Sequence, residues 1–147
     1  LVKDLLDALN LAKDDSDIGL VVLDLDKLDY GMLPKLESIA AAIVDFKTSG
    51  KKVIAVANNY NQTALYLAAH ADEVLLNPEG MAVPTGFSMH IPFFKSFLEK
   101  HDVTVNLFKV GKYKSAVDPF IRDDMSGEDR EARLGVLNDW WEVYTKD

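Results

Sequence analysis

The chain has no cysteine among its 147 residues, which rules out a disulfide framework and a thiolate metal site while leaving periplasm and cytosol equally open. Positive charge is scarce: 16 Lys and Arg stand against 24 Asp and Glu, a formal charge of -8 that repels nucleic-acid phosphates and anionic lipid surfaces. Nucleic-acid partners are not expected. No window reaches the roughly 18 apolar residues of a membrane span, and no basic, apolar, small-residue leader opens the sequence. Neither a Gly-x-Gly-x-x-Gly fingerprint nor a phosphate loop occurs. His70, His90 and His101 are scattered without a metal-ligand spacing, so no metal and no cofactor is expected. Asp24 and Asp26 at a strand end could suggest a magnesium pair, but outward alternation of Asp24 and a loop start at Asp26 explain them better.

What is present is enough apolar content, 48%, to bury one core, and residues 1–147 read as a single domain. The chain opens at Leu1 inside a helical pattern and stops at a charged helix end, and so reads as a piece of a longer protein. Leu5, Leu6, Leu9 and Ala12 mark a helix over 1–13, and the apolar run 18–25 a buried strand. Pro34 then opens a helix whose face is Leu36, Ile39, Ala40, Ile43 and Phe46, closed by Gly50. A strand over 51–57, a polar turn over 58–61, a small-residue helix over 62–71 and a strand over 73–77 follow. Three strand-helix steps at this spacing predict an α/β fold of βαβ units with a mainly parallel sheet.

The remainder reads as an extended piece near 80–87, a helix over 91–101 with Phe93, Phe94, Phe97 and Leu98 inward, and a strand over 103–110. A final helix starts at Ser126, an N-cap followed by Glu128 and Asp129, and carries Leu134, Leu137, Trp141 and Tyr144 at helical spacing. Trp140, Trp141 and Tyr144 cluster as an interface, or else Trp141 and Tyr144 pack on the sheet, with Trp140 the first candidate for contact with another repeat or a neighbouring protomer.

Between the last strand and that helix lies Phe108-Lys-Val-Gly-Lys-Tyr-Lys-Ser-Ala-Val-Asp-Pro-Phe-Ile-Arg-Asp-Asp-Met125, in which Lys114 follows a strand and a glycine and precedes Ser115-Ala116. This stretch resembles the lysine-bearing loop of the signal peptide peptidase A (protease IV) family, serine proteases of the ClpP/crotonase superfold. Lys51-Lys-Val-Ile-Ala-Val-Ala57, Ala64 to Pro78, Gly80 and Gly86-Phe87 extend the resemblance, in order, over most of the chain. The resemblance implies a ClpP/crotonase-like fold of repeated β-β-α and βαβ units, with Lys114 as general base.

One departure matters. Family members that carry the nucleophile present a serine beside a glycine at the turn entering the small-residue helix; here that turn is Tyr60-Asn-Gln-Thr-Ala64, with Gln62 at the aligned position. Some members are duplicated, with lysine in the first half and serine in the second. The resemblance then implies an amino-terminal repeat that lends Lys114 to a serine on a carboxy-terminal repeat, across a homo-oligomer. It also implies cleaved signal peptides as substrates, and a bacterial inner membrane, periplasmic side, reached through an anchor elsewhere in the protein.

The chemistry requires a neutral amine, because only that form accepts the serine proton. A lysine ordinarily titrates near about 10.4, and reaching neutrality destabilises the ammonium by roughly 4 kcal/mol, which demands a dry pocket. Of the neighbours, Ser115 serves as a local backbone partner or orders Lys114, whereas Lys109 and Lys112 read as solvent-facing. Thr63 as an N-cap and Asn61 as a turn residue need no catalytic role. Two other readings stay open: a non-catalytic repeat that builds an oligomer and substrate groove, and a crotonase-type acyl-CoA enzyme. The last lacks a basic cluster for the CoA phosphates.

Overall fold

In a computed structural model, which describes residues 2–106 and 116–146, the alternating helix and strand periods become parallel strands joined by helices. The chain divides into two units, Leu1–Gly86 and Phe87–Asp147. In the first, α1 (Val2–Asp14) packs on α2 (Leu33–Lys47) through Leu9 and Ala12. Strands β1 (Leu20–Asp24), β2 (Lys52–Ala57) and β4 (Glu73–Leu76) form a parallel sheet in the order β1-β2-β4. Parallel neighbours cannot be joined by a tight hairpin, and α2 and α3 (Gln62–Ala68) make the two crossovers.

The apolar face expected of α2 is the one buried: Leu36, Ile39, Ala40, Ile43 and Phe46, with Pro34 in its first turn. Burial of a side chain such as Ile43 or Phe46 contributes about 1.5–3 kcal/mol. Gly50 follows the helix at φ +79°, the left-handed conformation glycine adopts without Cβ strain. The register pairs Val21 with Val53 and Leu23 with Ala55. Val53 and Ala55 point into the core and are fully buried, whereas Leu20, Val22 and Leu75 on the other face are about half exposed. Lys51 reaches from the start of β2 to the carbonyls of Ala12, Lys13 and Asp15 at 2.6–3.0 Å, satisfying the end of α1 with a positive charge.

The turn expected over 58–61 is only half a turn. Tyr60–Asn61 forms β3, paired in parallel with β5 (Ala82–Val83), and the Tyr60 N–H donates to the Met81 carbonyl at 2.9 Å. Asparagine-rich composition signals a turn locally, but the pairing comes from 22 residues downstream, where no local signal reports it.

In the second unit, helix α4 covers Lys95–Lys100 rather than 91–101, because the Phe94 N–H is taken by the Pro119 carbonyl at 2.6 Å. Phe94 and Phe97, expected inward, are 39% and 60% exposed. Val103 to Asn106 carry no regular strand, and the rest of the strand expected over 103–110 lies outside the described residues. Pro119 sits in the first turn of a short helix α5 (Asp118–Ile121). The final helix α6 (Gly127–Lys146) starts as expected, with the Asp129 N–H donating to Ser126 Oγ at 3.2 Å. Its core face is not the expected one: Leu134 and Trp141 are 46% and 45% exposed, and Asp129, paired with Arg133 at 2.8 Å, is the buried position. Trp140, Trp141 and Tyr144 all meet the ring of Phe87 edge-on, with centroids 5.8, 6.4 and 6.1 Å away.

Candidate functional site

The carboxyl ends of β1, β2 and β4 open onto a cavity of about 360 Å³ lined by residues that include Asp24, Asp26, Asn58 and Asn77. Asp26 accepts hydrogen bonds from both the backbone N–H and the Nδ2 of Asn58, and Asn77 Nδ2 donates to Asn58 Oδ1 at 2.7 Å. Asn59 Oδ1 accepts from the Met81 N–H at 3.0 Å. Four side chains thus carry the turn between β2 and β3, and Gly80 makes this possible: a Cβ there would lie 1.8 Å from the Asn58 carbonyl oxygen. Sequence reading missed this network. Its available signal was an asparagine directly after each of two strands, with an aspartate after the third.

The same turn feeds α3. Asn61 is the N-cap, accepting from the Ala64 N–H at 2.9 Å while its Nδ2 donates to the Leu28 carbonyl at 2.7 Å. Thr63, expected as the cap, lies inside the first turn of the helix instead. Gln62 opens the helix and accepts a 3.3 Å bond from Thr85 Oγ1. A carboxamide is not a nucleophile, so Gln62 accepts a hydrogen bond at the entry to α3 and attacks nothing. Tyr60 is buried beneath the turn, its hydroxyl donating to the Leu75 carbonyl at 3.0 Å, and burial, helped by the Asp26 charge, raises its pKa. Asp24 is exposed at the end of β1, and among the described residues no group of three or more acidic or histidine side chains is arranged to hold a metal ion.

Lys114, Ser115, Lys109 and Lys112 lie outside the described residues; the downstream half of their motif does not. Asp118, at the start of α5, is 3% exposed. Arg122 bonds the Asp124 carbonyl and carboxylate at 3.2 and 3.0 Å. Asp123 Oδ1 accepts from both the N–H and the Oγ of Ser96 in α4, at 2.9 and 2.6 Å, and these bonds hold its carboxyl below the usual range. The Ser96–Asp123 contact was also missed in the sequence, where Asp123 reads as one of two adjacent surface acids.

Comparison with known proteins places this geometry. The model of Peptidase family S49 matches residues 45–147, a span that includes Lys114 and all of Phe108 to Met125. The chain is 41% identical over 141 residues to Protease 4 of Salmonella typhi and 44% identical over 141 residues to Protease 4 of Haemophilus influenzae. Each alignment covers 96% of this chain and 23% of the relative. Serine protease SPPA, chloroplastic, of Arabidopsis thaliana is 31% identical over 125 residues, 85% of this chain and 18% of that protein. The chain therefore spans about a quarter of the length of the bacterial relatives it matches. Among the described residues no helix is long and apolar enough to cross a membrane. With parallel strands, helical crossovers and the family match over residues 45–147, the chain has the ClpP-like α/β fold and belongs to peptidase family S49.

Proposed function

We propose that this chain is the lysine-donating part of a serine endopeptidase, with Lys114 as the general base. The observation that carries the reading is a pairing of presence and absence: the lysine motif falls inside the family match, while Gln62 occupies the helix entry where a serine would be needed. Base and nucleophile then sit on different parts of the protein. The serine belongs to a carboxy-terminal repeat, supplied across a homo-oligomer, and Lys114 accepts its proton as a neutral amine in a site closed by both parts. The names of the relatives, Protease 4 and serine protease SPPA, support peptide bonds as the substrate. Cleaved signal peptides at the periplasmic side of a bacterial inner membrane, reached through an anchor outside this chain, complete the proposal.

The test is the peptidase rate of the full-length protein against its Lys114→Ala variant, with oligomer size followed by light scattering. A loss of roughly a hundredfold or more with unchanged assembly is expected for a general base. Near-normal turnover would leave the non-catalytic repeat as the reading.

A further inference from the structure

The motif that carries Lys114 is tied to the fold at its downstream end through Pro119, Phe120 and Asp123. Asp123 Oδ1 takes two hydrogen bonds from Ser96, one from the backbone N–H in the first turn of α4 at 2.9 Å and one from the hydroxyl at 2.6 Å. Two further contacts join the same segments: the Phe94 N–H donates to the Pro119 carbonyl at 2.6 Å, and the rings of Phe94 and Phe120 stack with centroids 6.2 Å apart. Helix α5 and the residues after it are thereby stapled along α4, and together they line a cavity of about 580 Å³ with Lys95, Leu98, Phe120 and Ile121 on its walls.

Of these contacts, the Asp123 bonds are the charge-assisted ones, which are shorter and stronger than neutral pairs. Arg122 bonds to Asp124, which leaves the Asp123 carboxylate to Ser96. Asp123 stands nine positions after Lys114, with the Asp118–Ile121 helix between them. We propose that Asp123 is a positioning residue for the lysine motif, fixing through Ser96 where the segment leading back to Lys114 is anchored. This inference rests on the reading of Lys114 as the general base. A base misplaced by an ångström can lose about a hundredfold in rate with substrate binding little altered.

The experiment is steady-state peptidase kinetics on the full-length protein, with thermal melting of every variant. Asp123→Ala is expected to lower kcat by about tenfold with KM within about twofold. Asp123→Asn keeps an acceptor oxygen for Ser96 and is expected to recover most of that loss. Unchanged kcat in Asp123→Ala, while Lys114→Ala is inactive, overturns the inference and leaves the general base in place. A fall matched by lost folded protein, or one that Asp123→Asn shares in full, overturns it also. Full activity in Lys114→Ala removes the base itself, a failure that the same series tells apart.

Discussion

A methyl group on Gly80 would sit 1.8 Å from the Asn58 carbonyl oxygen and 3.0 Å from its carbonyl carbon, both backbone atoms that cannot swing away. Gly80→Ala therefore must push β5 off β3, and a destabilisation of about 1–3 kcal/mol is expected, read as a lowered urea midpoint. Asp72 is a second residue whose effect is decided by its contacts. Its carboxylate accepts from the Val53 N–H at 2.8 Å and pairs with Lys47 at 2.9 Å, joining the end of α2 to the start of β2. The Val53 N–H first, then Lys47, hold its pKa below the ordinary carboxylate value. A folded-state pKa below the unfolded one contributes stability that is complete above the unfolded value, about 3.9, and is lost as pH falls through the folded value. Melting temperature should therefore drop below about pH 4 in the native chain. In Asp72→Asn it should start lower and change less over the same range; parallel acid limbs would show that the group does not couple folding to protons.

At the scale of elements, Asn61 links two: its Oδ1 caps α3 and its Nδ2 holds the Leu28 carbonyl after β1. Asn61→Ala removes both bonds, and a loss at the upper end of the about 0.5–2 kcal/mol range for caps is expected, against a smaller loss in Asn61→Asp, which retains the cap oxygen. Chemical denaturation of the two variants decides this. The elements that could be read in the sequence are those whose period is enforced by one buried face. The α2 positions 36, 39, 40, 43 and 46 and the β2 positions 53, 55 and 57 are all buried. Elements fixed by distant partners could not be read. The two-residue ladder of β3 and β5 depends on Gly80 reaching Asn58, and α4 begins at Lys95 because Pro119 captures the Phe94 N–H. Helix α6 was visible through its cap at Ser126, but its apolar residues lie on several sides, so helical spacing alone did not identify its buried position, Asp129. The candidate site divides in the same way: the motif around Lys114 is contiguous and legible, whereas the Asp26–Asn58–Asn77 network and the Ser96–Asp123 tie each join residues at least 19 positions apart.

For the whole molecule the question is whether residues 1–147 can cleave a peptide without the rest of the protein. A serine becomes a nucleophile when a base of suitable pKa lies within hydrogen-bond reach. The hydroxyl of Ser38 donates to Pro34 and that of Ser49 to Phe46, both backbone carbonyls, and Ser126 caps α6. Ser96 does face a carboxylate, but its bonds hold Asp123 below the usual range, which makes that carboxylate a weaker proton acceptor. Gln62, not a serine, stands at the entry to α3, and on the proposed division of the site the nucleophile lies on another repeat. The purified chain is therefore expected to leave a fluorogenic apolar peptide intact at concentrations where the full-length protein turns it over, and adding a carboxy-terminal repeat with its serine should restore cleavage. Hydrolysis by the chain alone, abolished in Lys114→Ala, would show that it carries its own nucleophile and would overturn the division of the site between two repeats.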